Sequence, residues 1–174
     1  MEQRYVLSIL VKNNAGVLAR ISGLFGRRGY NIASLSVGET MDPGYSRMTI
    51  ELFGDEAVRE QIKKQLLKLV EVVSVEEIKA ASSVFRELLL AKVSASHGSR
   101  AAIIEICNVF GAKIADLSPA TATIEAINKP ATNDALLELL KEYGIIEIAR
   151  TGLVGMQRGA AKLYAEGAQN DKTN

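Results

Sequence analysis

The chain of 174 residues sets 21 Lys+Arg against 20 Asp+Glu, holds one His, one Cys and no Trp, and is 48% hydrophobic and 24% charged. This is the composition of a folded globular protein rather than a disordered one, at a length that fits one or two small domains. The charges are spread evenly over both halves, so a nucleic-acid or anionic-membrane partner is disfavoured, while Cys107 alone forms no internal disulfide and His97 alone anchors no multi-His metal cluster. The start, MEQRYVLSILVKNN, has an acidic residue at position 2 and no cleavage pattern, and no window approaches the roughly 18 apolar residues of a membrane span. The expectation is a cytoplasmic protein without an export signal.

Tyr5, Leu7, Ile9 and Val11 repeat every second residue, with Val6 and Leu10 between them, and predict a strand that Asn13-Asn14 interrupts. From Ala15 to Arg28 the apolar positions Val17, Leu18, Ile21, Leu24 and Phe25 have helical spacing, with Asn14 as expected N-cap and Gly29 as the residue past the end. Strands are expected over 31–37 and 46–53, joined as a hairpin through Asp42-Pro43-Gly44. Asp55 and Glu56 open a second helix with the stripe Val58, Ile62, Leu66 and Leu69, and a last strand covers 72–78. This order, βαββαβ, predicts two helices on one face of a four-stranded antiparallel sheet, a ferredoxin-like fold whose other sheet face is left uncovered.

After Ala80-Ala81-Ser82-Ser83 the order recurs. A strand over 87–95 precedes a helix over 99–110 with Ile103, Ile106 and Phe110 inward and Gly111 at its end. Strands over 113–117 and 121–127 flank Pro119-Ala120, and a helix with Leu136, Leu137 and Leu140 ends at Gly144 before a strand over 145–149. The expected fold class is therefore α+β, with two tandem ferredoxin-like domains built on antiparallel sheets. The division places the first domain at 1–79, a linker at 80–85, the second domain at 86–160 and a partly disordered tail at 161–174.

Catalytic signatures are scarce: the sequence has no P-loop and no G-x-S-x-G elbow. The glycines of GLFGRRG at 23, 26 and 29 lie along a helix rather than after a strand, and close helix packing explains them better than a dinucleotide loop. Gly152, Gly155 and Gly159 read as a flexible or tightly turning tail rather than a phosphate cradle. His97, in SASHGSR, precedes a helix N-terminus, where an imidazole and helix amides meet a small anion in some proteins, but a surface loop histidine is the simpler reading. Cys107 reads as a small buried hydrophobe. Glu51, Asp116 and Glu125 read as solvated strand carboxylates without partners.

KNNAGVL, at the first strand-to-helix junction, differs because features suited to a small zwitterion coincide there. Amides from Asn14 to Val17 head a helix and suit a carboxylate, Gly16 permits close approach, Asn13 offers a donor and an acceptor, and Val17, Leu18 and Ile32 offer an apolar slot. A plain capped helix start is an equal reading of the same residues.

The run NNAGVLARISGLFGRRGYNIASLSV, with SRMTI at 46–50 and ARTGLVG at 149–155, resembles the regulatory small subunit of acetohydroxyacid synthase, also called acetolactate synthase, with an amino-terminal ACT domain. The likeness covers nearly the whole chain. It implies a subunit without catalytic activity that activates a catalytic large subunit and confers feedback inhibition by branched-chain amino acids, usually valine. Thiamine diphosphate, Mg and FAD are implied for that partner and no cofactor for this chain. The resemblance also implies a homodimer through the ACT domains, with the effector between protomers. Carried onto matching positions, the effector-binding residues are Asn13, Ala15, Gly16, Val17 and Leu18 of one chain and Asn31 and Ile32 of its neighbour, with the two asparagines taking the ammonium and no formal charge required. No ligand is implied for the second domain. Two rivals are an ACT-type sensor acting on a different enzyme, and an acylphosphatase-like hydrolase using Arg20 and Asn31, which KNNAGVL supports poorly because the loop has no arginine of its own.

Overall fold

In the computed structural model, which describes residues 3–160 and 162, the alternation from Tyr5 to Val11 forms the central strand β1 (Gln3–Lys12). It pairs antiparallel with β3 (Tyr45–Gly54) from Gln3 opposite Gly54 to Lys12 opposite Tyr45. With β2 (Ile32–Glu39) beside β3 and β4 (Val72–Glu77) beside β1, the sheet has the order β2-β3-β1-β4. One side-chain row, with Leu7, Ile9, Val11, Met48, Ile50 and Leu52, meets Ile21, Leu24 and Phe25 of α1 (Val17–Arg27) and Ile62 and Leu66 of α2 (Glu56–Leu66) in a single core. Burying each of the large aliphatic side chains there contributes about 1.5–3 kcal/mol.

The helix ends differ from expectation at one point. Helix α1 is headed by Gly16 at φ 85°, not by Asn14, and no side chain caps it. A left-handed residue at the start of a helix suits glycine because it has no Cβ to clash. The far end is as expected: Gly29 takes φ 70° and Tyr30 N–H donates to Phe25 O at 3.0 Å, closing the helix by a left-handed turn. Asp55 caps α2, accepting from Val58 N–H at 2.8 Å. Close packing does not explain Gly23 and Gly26. A Cβ at Gly26 would meet nothing within 4 Å and one at Gly23 only an Arg27 guanidinium nitrogen at 3.5 Å.

The second face of this sheet is not left open. Ser8, Thr49 and Glu51 on it are 0%, 3% and 4% exposed. The described residues form two compact units, 3–84 with 153–160, and 85–152. Residues 153–160 group with the second module in sequence, yet in space they lie against the first sheet. Leu153 N–H donates to Ser34 Oγ at 3.3 Å, and Arg47 bridges Ser8 Oγ at 3.0 Å and Gly155 O at 2.5 Å. Glycines 152 and 159, both at positive φ, bracket the short strand β9 (Val154–Gln157), and Arg158 N–H closes on Ser82 O at 2.9 Å. Of the two expected forms, flexible or tightly turning, these residues take the second, turning at both glycines and packing as a strap. Glu51 is correspondingly not a solvated carboxylate, since it pairs with Arg4 and accepts from Ser34 Oγ at 3.2 Å. The expected disordered tail lies, but for Lys162, outside the described residues.

The second unit repeats the order, with β5 (Ser83–Ser94), α3 (Arg100–Phe110), β6 (Lys113–Leu117), β7 (Thr121–Asn128), α4 (Pro130–Leu140) and β8 (Ile145–Arg150). Its strands run β6-β7-β5-β8, with β9 also paired to β5, and its core joins Leu89, Val93, Ile103, Cys107, Ile124, Leu136 and Leu140. Glu87, 6% exposed, receives two bonds from Arg150 at 2.7 and 2.6 Å and one from Asn133 at 3.3 Å. The bonds to Glu87, with a further one to Asp134 at 2.8 Å, hold the Arg150 guanidinium well above its ordinary pKa. Asp116, in contrast, is exposed and Glu125 half-buried.

Two stability outcomes follow. Arg47→Ala removes the donor that ties Gly155 and Ser8 together and should cost about 2 kcal/mol, a drop of several degrees in the thermal midpoint followed by circular dichroism. Glu87→Ala leaves Arg150 with Asp134 alone and takes an acceptor from the buried Asn133 amide, and should cost about 2 kcal/mol in urea unfolding, whereas Glu147→Ala, which breaks the exposed pair with Lys92, should stay within about 0.5 kcal/mol.

Candidate functional site

The junction KNNAGVL is held at both flanks by backbone. Lys12 N–H donates to Glu71 O at 2.9 Å and Asn13 N–H to Gly44 O at 2.8 Å, which ties the end of β1 to the hairpin between β2 and β3. The hairpin is rigidified in turn, with Gly44 N–H bonded to Asp42 Oδ1 at 2.9 Å and Thr40 Oγ1 to Asp42 O at 2.8 Å. Asn14 N–H turns back to Lys12 O at 2.9 Å, and Val17 N–H reaches Asn14 O at a long 3.3 Å. Arg20 N–H is the first to bond a helical carbonyl, that of Gly16, at 3.0 Å. The amides of Leu18 and Ala19 therefore end the helix without a side-chain cap, carrying the partial positive charge of its dipole.

The expected site residues divide into two groups. Asn13, Ala15, Gly16 and Leu18 come together and are all exposed, Leu18 at 44%. Val17 belongs to the same turn, but its side chain is 4% exposed and committed to the core, so only its backbone faces the junction. Asn31 and Ile32 lie at the opposite end of β2, about 23 Å away along the seven extended steps of roughly 3.3 Å from Glu39 back to Ile32. Asn31 is exposed there, while Ile32 packs partly on the core. One chain does not bring all seven residues into one site. Nor does it assemble the acylphosphatase-like alternative: Arg20 is ion-paired with Glu71, and Asn31 is remote from it.

One neighbour of the junction was not legible in the sequence. Glu39, the last residue of β2, accepts from Asn13 Nδ2 at 3.0 Å, and the same nitrogen donates to Pro43 O at 3.0 Å. A separation of 26 positions, bridged only by strand pairing, leaves no local signal for that contact. The remaining chemistry-bearing residues are placed as their patterns imply. His97 is exposed in the turn before α3, and Cys107 is 2% exposed, its thiol pushed up in pKa by burial. Among the described residues no three His, Cys, Asp or Glu side chains gather as a metal site, and no helix is long and apolar enough to cross a membrane.

The Cys107 environment makes a checkable statement. A thiol that is both buried and held protonated should react with a thiol-specific disulfide reagent at pH 7 only at the rate of unfolding, and urea should release the reaction. Rapid modification of the native chain would contradict the buried placement.

Comparison with known proteins matches the two halves separately. The family model described as an AHAS small subunit-like ACT domain covers residues 7–74, and the one described as the small subunit of acetolactate synthase covers 86–159. A probable acetolactate synthase small subunit of Methanothermobacter thermautotrophicus is 46% identical over 90% of this chain and 94% of its own length. The acetolactate synthase small subunit of Mycolicibacterium smegmatis is 48% identical over 89% of this chain and 91% of its own. The crystal structure of the small subunit from Thermotoga maritima superposes with a TM-score of 0.85 at 40% identity, covering 91% of this chain and 99% of that one. With two βαββαβ modules of antiparallel sheet, an ACT match on the first and a small-subunit match on the second, the chain belongs to the acetolactate synthase small subunits.

Proposed function

We propose that this chain is the non-catalytic regulatory subunit of acetohydroxyacid synthase, binding a thiamine-diphosphate-dependent catalytic subunit, raising its activity and conferring feedback inhibition by a branched-chain amino acid, valine first among them. Mg and FAD, like thiamine diphosphate, belong in this reading to the catalytic subunit. The effector lies between two copies of the chain, with Asn13, Ala15, Gly16, Val17 and Leu18 from one and Asn31 and Ile32 from the other.

The observation that carries this reading is the uncapped start of α1 behind a left-handed Gly16, at the opposite end of β2 from Asn31. The free amides suit a carboxylate, and the exposed Leu18 suits an aliphatic side chain. Strand β2 is an edge of its sheet. Antiparallel apposition of two β2 edges about a two-fold axis carries each Asn31 to the other copy's Asn13, which is how residues about 23 Å apart within one chain come to share one ligand. Occupancy then favours one arrangement of the pair, and the holoenzyme responds through the difference in affinity between the two arrangements, a coupling of about 1–3 kcal/mol.

The test is a three-way assay. The chain alone should form no acetolactate, addition of the cognate catalytic subunit should raise that subunit's rate, and valine should lower the raised rate but not the basal one. Calorimetry with valine, leucine and isoleucine should give heat for at least one of them, and Gly16→Asp should abolish it by placing a negative charge where the carboxylate sits. A Cβ at Gly16 meets nothing within 4 Å and Asp tolerates left-handed backbone better than most residues, so the strain at φ 85° should lower stability without unfolding the chain, which circular dichroism checks. Undiminished binding by Gly16→Asp would remove the site assignment, and acetolactate formation by the chain alone would remove the regulatory reading.

A further inference from the structure

The polar groups around the junction are sorted by sign. Both hydrogens of the Asn13 amide are used inside the chain, Nδ2 donating to Glu39 Oε1 and to Pro43 O at 3.0 Å each. Flipping the amide would set Oδ1 against two acceptors, so its orientation follows from the chemistry. Asn13 therefore offers a ligand only an acceptor, Oδ1, and beside it stands the exposed carboxylate of Glu39. Among the described residues Glu39 is ion-paired with no Lys or Arg, whereas Asp42, the hairpin's other acid, spends Oδ1 on Gly44 N–H. The acceptors thus cluster on the hairpin side, and the donors, Leu18 and Ala19 N–H, at the head of α1.

We propose that Glu39 is the residue by which this site selects an α-ammonium group, accepting from it together with Asn13 Oδ1, so that the site takes an α-amino acid and rejects the 2-oxo acid with the same side chain. This rests on the reading of the Asn13–Leu18 junction as the effector site, and it replaces a neutral pocket with a charged one. An amino acid and its 2-oxo acid share the carboxylate that the helix amides would hold and the branched chain that Leu18 would touch. They differ only where one carries three N–H donors and a positive charge and the other a carbonyl oxygen. Facing Glu39, the first gains a charge-assisted bond, while the second sets an acceptor against a carboxylate and leaves it unpaired. Contacts to carboxylate and side chain alone would give no such discrimination.

Calorimetry on the full chain tests this with the tightest-binding of L-valine, L-leucine and L-isoleucine, and with its own 2-oxo acid, on wild type, Glu39→Gln and Glu39→Ala. Both variants are at an exposed position, and circular dichroism checks that they fold. Wild type should prefer the amino acid by about tenfold or more, in line with the loss of a charged hydrogen bond. Glu39→Gln and Glu39→Ala should weaken the amino acid by about tenfold, leave the 2-oxo acid equal or tighter, and so collapse the preference. Equal binding of both ligands by wild type, or an unchanged preference in Glu39→Gln, overturns the role of Glu39 while leaving the effector site standing. If none of the three amino acids gives heat with wild type, the effector-site reading itself fails and this inference with it.

Discussion

The ten-residue antiparallel pairing of β1 with β3 organises the first unit. Because successive side chains alternate across a sheet, this one register sends Leu7, Ile9, Met48, Ile50 and Leu52 into the helical core and Ser8, Arg47, Thr49 and Glu51 to the opposite face. It also fixes where β1 ends, and with it the point at which the Asn13–Gly16 junction leaves the sheet beside the hairpin of Asp42, Pro43 and Gly44. A slip of one residue would exchange the two faces, taking the core row away from the helices and burying arginine and glutamate under them.

Each face then has its own way of being satisfied. The apolar row needs only burial, which two amphipathic helices supply. The polar row needs partners, and it finds them partly in the chain's own return: Arg47 holds Gly155 O, Ser34 receives Leu153 N–H, and Glu51 is answered by Arg4 and Ser34. Buried polar groups without such partners would cost about 1–3 kcal/mol each. The residues that complete the ACT unit thus come from beyond the second unit, so the second unit interrupts the first along the chain.

The same division of roles is visible at the candidate effector site. Backbone sets its position, since the bonds from Lys12 to Glu71 and from Asn13 to Gly44 hold the junction on two sides. Side chains set its character, with Asn13 orienting its oxygen outward by spending its hydrogens on Glu39 and Pro43. The chain belongs to the acetolactate synthase small subunits, and the proposed regulatory chemistry needs no catalytic group in it: a site that binds a zwitterion more tightly in one arrangement than in another is sufficient.

Much of this was legible in the sequence, because it rests on local rules. Period-two and period-3.6 patterns placed all eight strands and four helices of the two modules, since each element buries one face. Gly29, Gly111 and Asp55 marked helix ends because left-handed turns and capping are decided within a few residues. Cys107 was readable as core from its helical neighbours, and NNAGVL with its flanking motifs carried the family likeness. What failed locally failed for a tertiary reason. Asn14 did not cap α1 because the tie from Asn13 to Gly44 and the turn at Gly16 start the helix later. Glu51 read as an unpartnered carboxylate, and nothing local singled out Glu87 or Glu39, since the partners of the three lie 47, 63 and 26 residues away. The glycines from 152 onward left a flexible and a tightly turning tail equally open because nothing near them in sequence announces the sheet face that receives them. Sequence by itself determined the elements and their order, through propensities and periodicities that act over a few residues. Which polar groups meet, which face is covered and what charge stands at the Asn13–Leu18 junction were decided only by the tertiary structure, through strand pairings that join distant residues and the need of buried polar groups for partners.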